Sequence, residues 1–165
     1  MDIVSGGFDL AVRGGDVAAP HLVARGLWRF EIFVAASPAW LRRHGTPTHP
    51  RQLEGLPCLP YSGSSQSGSW TLSSGEERTS VKVAGPAAYD SALALVEAGI
   101  TGQGAIYLPE WALSDALADG RLVRVLPHWT SGPVRFWAVR PERRHVPSRV
   151  GAFQEFLLQL PDPWR

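Results

Sequence analysis

The chain has 165 residues, enough for one ordinary domain or two small lobes, and its hydrophobic content of 44% is enough for a buried core. Its formal net charge is +1, with 16 basic and 15 acidic residues. Proteins that bind DNA usually carry an excess of positive charge that neutralises the phosphates. This chain has almost no such excess, so we do not expect it to contact DNA itself.

The single cysteine, Cys58, excludes an intramolecular disulfide and a thiol-rich metal site, and we expect it to be a small buried hydrophobic residue. No apolar run approaches the roughly 20 residues that span a bilayer. The first residues, Met-Asp-Ile-Val-Ser, lack the basic and then apolar regions of a signal peptide. We therefore expect a cytoplasmic protein that makes no membrane contact.

Strand and helix patterns alternate through the first half of the chain. The longest predicted strand, 27–36, is followed by a short helix that Ser37 caps, Pro38 begins and Gly45 ends. The other predicted strands in this half are 8–12, 58–61 and the two arms of a β-hairpin, 70–72 and 79–84.

The second half continues the alternation, which favours an α/β fold. Asp90 and Ser91 open a helix in which Leu93, Val96 and Ile100 recur at helical spacing. The remaining predicted elements are strand 105–108, helix 109–118, strand 122–126, the long strand 134–140 and a final helix, 147–160, with Val150, Phe153, Leu157 and Leu160 on one face.

Patterns typical of an active site or a metal site are missing from the sequence. The five histidines are scattered, and none has a partner at metal-ligand spacing. No Gly-x-Ser-x-Gly elbow exposes a nucleophile. Gly102-Gln103-Gly104 follows a helix and opens a strand, the reverse of a nucleotide-binding loop, so it predicts a sharp turn. We therefore predict no enzyme activity, no metal and no cofactor.

Two other features point to ligand binding. Asp90 and Ser91 begin a helix, whose backbone N–H groups and positive dipole end can hold a small anion, although N-capping alone also explains the pair. Tyr61, Ser62, Tyr89 and Tyr107 lie at or beside the ends of predicted strands, where open α/β sheets place ligands. The long strands 27–36 and 134–140 frame the residues between them, which suggests two lobes joined by paired crossover strands, with a ligand cleft between them.

Motifs in order along nearly the whole chain resemble the effector-binding domain of LysR-type transcriptional regulators, which has the type 2 periplasmic-binding-protein fold. The segments that carry this resemblance are 7–13 (GFDLAVR), 34–41 (VAASPAWL), 44–47 (HGTP), 53–55 (LEG), 98–104 (AGITGQG), 108–109 (LP), 117–123 (LADGRLV), 138–141 (AVRP), 143–145 (RRH), Pro147, 149–150 (RV) and 153–157 (FQEFL).

The resemblance implies an α/β, two-lobed fold with two crossover, or hinge, strands. Residues 1–33 and 134–165 would be the remnant of an incomplete first lobe, and residues 34–133 the second lobe. The family's winged helix-turn-helix and the first elements of the first lobe have no counterpart in this sequence. We therefore expect an exposed sheet edge and apolar face in the first lobe, and self-association or instability as the result.

The resemblance also implies ligand-binding residues: Pro60, Tyr61, Ser62 and Gly63 after a strand, Tyr89, Asp90 and Ser91 at a helix start, Tyr107, and Arg13 and Gly14 from the first lobe. The expected ligand is a small effector, either a carboxylate or an aromatic metabolite. The Asp90 carboxylate repels an anion, so either Arg13 neutralises it or the ligand is not simply anionic.

As an effector-binding domain, the chain would shift between lobe arrangements on binding, form homo-oligomers and reach DNA only through a separate helix-turn-helix domain. The alternative is a stand-alone small-molecule-binding or interaction module without a DNA-binding domain of its own.

Overall fold

The computed structural model describes residues 7–15, 17, 21–62, 68–142 and 146–160. Strands and helices alternate along them, as the α/β prediction requires. The elements are β1 (Ala11–Gly14), β2 (Leu22–Phe30), β3 (Ile32–Ala36), α1 (Pro38–His44), a 3-10 helix (Pro50–Leu53), β4 (Ser69–Ser74), β5 (Glu77–Lys82), α2 (Ala92–Ile100), β6 (Ile106–Pro109), α3 (Glu110–Ala118), β7 (Val123–Val125), β8 (Val134–Pro141) and α4 (Ser148–Gln159).

The chain divides into two compact units, and the first consists of Met1–Phe30 and Pro133–Arg165. Its sheet has the order β1-β8-β2, with both edge strands antiparallel to β8. On α4, Val150 and Leu157 are buried as predicted, but Phe153 and Phe156 are 50% and 54% exposed. Phe8 and Val12 are also exposed, so this unit presents several large apolar side chains to solvent.

The second unit, Glu31–Gly132, is built around the sheet β6-β3-β7. Successive side chains of a strand point to opposite faces, and both faces of β3 are covered. On one face lies the Trp40 cluster: Val34, Ala36, Trp40, Leu53, Cys58, Trp70, Leu72, Val81, Val83, Ala105, Val125, Leu126 and Trp129. On the other lies the Leu95 cluster: Phe33, Ala35, Leu59, Leu95, Ala98, Ile106, Leu108, Leu113, Ala116 and Leu122.

Several local predictions are confirmed. The Ser37 hydroxyl oxygen accepts a hydrogen bond from the Trp40 N–H at 3.2 Å, and α1 ends at Gly45, whose φ is 82°. Strands β4 and β5 form the predicted hairpin, with Ser74 opposite Glu77. Gly102, with φ at 77°, turns the chain from α2 toward β6. Each of these features depends on neighbouring residues, which is why the sequence is sufficient to predict it.

The prediction of one long strand over 27–36 is wrong. The chain forms β2 up to Phe30, passes Glu31, and begins β3 at Ile32. Phe30 pairs with Val134 in one sheet, whereas Ile32 pairs with Pro109 in another. The strand breaks because residues on either side of Glu31 pair with strands of different sheets. The alternation of polar and apolar side chains is the same on both sides of the break, so the sequence pattern does not reveal it.

Two further strand predictions need correction. The first strand is Ala11–Gly14 and not 8–12, and the predicted strand 58–61 forms only isolated bridges. In that second segment Cys58 bridges Ala105 and Tyr61 bridges Tyr89. Proline has no N–H to donate to a ladder, so the prolines at 57 and 60 prevent regular pairing there.

Of the three residues that helical spacing predicts for one face of α2, Val96 and Ile100 pack against the Leu95 cluster, whereas Leu93 does not. Leu95, Ala98 and Gly99 are buried, whereas Leu93 is 81% exposed. Eight of the nine residues of α2 are apolar or glycine, so periodicity alone does not select a face. Packing against β6 selects the buried face. A Cβ on Gly99 would lie 2.9 Å from the Ile106 side chain, so only glycine allows β6 to approach α2 so closely.

Among the described residues, no helix has the length and apolar character needed to cross a membrane.

Candidate functional site

Two chain segments from different parts of the sequence meet beside the start of α2. Tyr61 and Tyr89 form a parallel bridge. The Ser62 N–H donates to the Tyr89 carbonyl at 2.7 Å, and the Tyr89 N–H donates to the Pro60 carbonyl at 3.0 Å. The structure thus brings three of the predicted site residues, Pro60, Tyr61 and Ser62, next to a fourth, Tyr89.

The first turn of α2 follows directly from this pairing. Ser91 is the N-cap, and its hydroxyl oxygen accepts a hydrogen bond from the Ala94 N–H at 3.4 Å. The neighbouring Asp90 is exposed. Its carboxylate is favourable beside the positive end of the helix dipole and repels a second anion at the same place. The paired segments therefore contain two serines and two tyrosines, with the negative charge of Asp90 beside them.

A polar chain of hydrogen bonds fixes the Tyr89 side chain. Its hydroxyl donates to the Gln103 side-chain oxygen at 3.0 Å, and the Gln103 amide donates to the Thr101 hydroxyl oxygen at 3.3 Å. Thr101 in turn donates to the Ala98 carbonyl at 3.0 Å. Gln103 belongs to the predicted turn at 102–104, and its position as a polar residue between two glycines is the sequence feature that marks it.

Tyr107 does not join this group. Its hydroxyl donates to the Thr71 carbonyl at 2.7 Å, and its ring stacks on Trp70 with the centroids 5.3 Å apart. It packs against the Trp40 cluster, whereas Tyr61 and Tyr89 pack against the Leu95 cluster on the other face of β3. Burial raises the pKa of Tyr107 well above its usual value. The structure therefore places Tyr107 half-buried against the core, apart from Tyr61 and Tyr89.

Of the other predicted site residues, Arg13 and Gly14 lie in β1 of the first unit, opposite Trp137 and Phe136 of β8. Arg13 is exposed. A Cβ on Gly14 would lie 3.3 Å from the rings of Phe30 and Phe136. Gly63 falls outside the described residues.

Within the described part of the chain, no three His, Cys, Asp or Glu side chains come together as a metal site would require.

Cys58 is fully buried in the Trp40 cluster, and burial raises the pKa of its thiol from 9.0 to about 12. Because the thiolate is the reactive form, we expect native Cys58 to resist iodoacetamide at neutral pH and to react only when the protein unfolds. The measurement is alkylation followed by intact mass, with and without urea. Rapid alkylation of the native protein would contradict the assignment.

The same pKa shift predicts how stability depends on pH. A thiol whose pKa is raised by folding contributes stability below its unfolded value of about 9, and this contribution is lost as the pH rises toward 12. Comparing urea unfolding of the protein and of Cys58→Ala from pH 8 to about 11 isolates the effect. We expect the advantage of the protein over Cys58→Ala to shrink as the pH rises, and a constant difference would contradict the predicted shift.

Comparison with known proteins identifies the family. Residues 1–161 match the family model described as LysR substrate binding domain. The HTH-type transcriptional regulator DmlR of Escherichia coli K12 is 35% identical over 160 residues, which is 96% of this chain and 52% of that protein. The chain therefore spans about half the length of this curated relative.

Solved structures agree in fold. The full-length structure of the Vibrio cholerae virulence activator AphB, a member of the LTTR protein family, matches 97% of this chain and 54% of its own, with a TM-score of 0.80 and 26% identity. The regulatory domain of CrgA, a LysR-type transcriptional regulator from Neisseria meningitidis, matches 94% of this chain and 76% of its own, with a TM-score of 0.78 and 25% identity. With the match over residues 1–161, these likenesses show that the chain belongs to the LysR family of bacterial transcriptional regulators and carries its substrate-binding domain, of the type 2 periplasmic-binding-protein fold.

Proposed function

We propose that the chain senses a small metabolite for a LysR-type regulator and that the metabolite binds where residues 60–62 meet residues 89–91. The observation that carries this proposal is the backbone pairing of these two segments, which brings Tyr61, Ser62, Tyr89 and Ser91 together beside the start of α2. Ligand sites of this kind combine apolar or aromatic walls with a few placed polar groups.

The chemistry of these groups favours a small aromatic or carboxylate metabolite. The tyrosine rings offer stacking surfaces, and the serine hydroxyls can donate to a carboxylate or carbonyl oxygen. Exposed Asp90 disfavours a full negative charge next to it. An aromatic metabolite whose carboxylate lies away from Asp90, with its apolar body toward the tyrosines, satisfies both conditions.

The proposal extends to the whole regulator. Its relatives are HTH-type regulators about twice as long as the matched region, so DNA contact would come from a helix-turn-helix domain in the complete polypeptide. The exposed Phe153 and Phe156 side chains in the first unit favour association with another chain, in line with a homo-oligomer. The regulator would act in the cytoplasm, without catalysis.

Three substitutions test the binding site. A thermal-shift panel of small carboxylates, including benzoate and salicylate, selects the probe, and calorimetry measures its affinity. We expect Tyr61→Ala and Ser91→Ala to weaken binding by about tenfold or less each, as loss of a stacking surface or of one hydrogen bond predicts. Asp90→Asn should strengthen the binding of a carboxylate, because it removes the repelling charge.

Ser114→Ala on α3 is the matched control, because it also deletes an exposed serine hydroxyl, one that donates to the Trp111 carbonyl at 3.3 Å. It should leave the affinity unchanged. Since Ser91→Ala also removes an N-cap worth about 1 kcal/mol, its affinity is measured well below its unfolding temperature. Unchanged affinity in both Tyr61→Ala and Ser91→Ala would show that the metabolite binds elsewhere.

A further inference from the structure

A second concave surface lies in the second unit, away from the site proposed above. It is a groove of about 440 Å³ between residues 55–57 and 82–86. Pro57 bridges Ala84 at this end of the paired segments, whereas Tyr61 bridges Tyr89 at the other end. From Pro57 to Tyr61 the chain advances by four residue steps, so the two bridges are about 13 Å apart along the backbone.

The lining of the groove is mostly apolar. Leu56, Pro57 and Pro86 contribute its larger apolar side chains, and Gly55, Ala84 and Gly85 are its small residues. Lys82 and Ala84 alternate with the buried Val81 and Val83, so both side chains lie on the exposed side of the chain. The groove is open to solvent, so it offers an apolar surface against which one side of a small ligand can pack.

One charge faces this apolar surface. Lys82 is the only lysine in the sequence and, among the residues that the structure describes, the only charged one that lines the groove. No ion pair joins it to another described residue. A cation at the edge of an apolar groove is complementary to a molecule that has an apolar body and one negative charge.

We propose that this groove binds a small organic acid, with the carboxylate against the Lys82 ammonium and an aromatic or branched apolar body against Leu56, Pro57 and Pro86. The inference is independent of the proposed effector site, because it uses different residues at the other end of the paired segments. Its ligand would occupy the second unit without contacting Tyr61 or Ser91.

The single lysine provides a direct probe of the groove. Reductive methylation with ¹³C-formaldehyde places one labelled side chain in the protein at Lys82, besides the terminal amine, and keeps its positive charge. We expect titration with benzoate to shift the Lys82 methyl resonance in a saturable way. Benzamide, which lacks the charge, and acetate, which lacks the apolar body, should each give a much weaker response. A response to acetate equal to that to benzoate would mean simple ion pairing and would overturn the proposal.

Substitutions distinguish the contribution of the Lys82 charge from that of the apolar surface. Ligand-observed NMR with benzoate should show binding weakened about threefold to fivefold by Lys82→Gln, as loss of an exposed ion pair predicts, and retained in Lys82→Arg. Ala84→Leu fills the groove while keeping the charge, and it should weaken binding at least tenfold. Arg78→Gln removes a positive charge from the same strand, outside the groove lining, and should change nothing.

Circular dichroism checks that each variant folds. If Ala84→Leu does not fold, Pro86→Ala, at an exposed wall position, replaces it with an expected loss of about twofold to threefold. Benzoate binding that is the same in Lys82→Gln and in the groove variant as in the unchanged protein would overturn the proposal. If benzoate binding then responds to Tyr61→Ala instead, the ligand occupies the effector site, and only the groove assignment fails.

Discussion

Replacing Trp40 by alanine is expected to lower the free energy of unfolding by about 4 kcal/mol, the largest effect that we predict for a single side chain. Trp40 is fully buried, and its ring packs in the Trp40 cluster on one face of β3. Its indole N–H also donates to the Pro57 carbonyl at 3.1 Å. Alanine would leave a large cavity and would remove one of the two hydrogen bonds that the Pro57 carbonyl accepts, the other being from the Ala105 N–H at 2.9 Å.

Urea unfolding followed by circular dichroism measures this loss, and two variants calibrate it. Trp40→Phe keeps most of the apolar volume but loses the N–H, so we expect a smaller cost of about 1–2 kcal/mol. Leu93→Ala removes a side chain that is 81% exposed, and it should change stability by no more than about 0.5 kcal/mol. A Trp40→Ala loss as small as that of Leu93→Ala would show that the Trp40 cluster is not a packed core.

The second large effect is expected for Gly85→Ala, which adds a single methyl group. A Cβ at this position would overlap the carbonyl oxygen of Cys58, which is backbone and cannot rotate away. The Cys58 N–H donates to the Ala84 carbonyl at 2.9 Å, so the two segments are held at this separation. Relief of the overlap requires them to part, and we expect a loss of about 3 kcal/mol.

Gly151→Ala is the matched control for this substitution. Gly151 lies inside α4, and a Cβ there would meet no described atom within 4 Å. Alanine is favoured over glycine in a helix, so this variant should gain about 0.5–1 kcal/mol. Thermal unfolding of the two variants should shift in opposite directions. Equal stability of Gly85→Ala and the unchanged protein would mean that the segments at 58 and 85 are farther apart than the structure places them.

Local sequence features predicted much of the fold. The Ser37 cap, Pro38 in the first turn and the glycine at 45 define α1, and the Ser91 cap defines the start of α2. Capping and turn formation depend on residues only a few positions apart, so a single sequence contains the information they need. The order of the family motifs along the chain also predicts the LysR family, and the match of the family model over residues 1–161 confirms it.

The candidate site was predicted only in part. Position beside the end of a predicted element selects Tyr61, Ser62, Tyr89 and Ser91, and the structure does bring them together. The same criterion selected Tyr107, which lies on the other face of β3 with Trp70. Position at the end of a strand does not specify the face on which a side chain lies, because that depends on the register between strands.

The sequence by itself determined where most helices begin and end, which residues form the hairpin, and to which family the chain belongs. Only the tertiary structure decided that the chain leaves one sheet at Phe30 and enters another at Ile32, that α2 buries Leu95 and exposes Leu93, and that Gly85 must lie against Cys58. The physical reason is the range of the interactions. Caps and turns form between residues close in sequence, whereas strand partners, buried faces and close backbone approaches depend on segments that lie far apart in the sequence and meet only on folding.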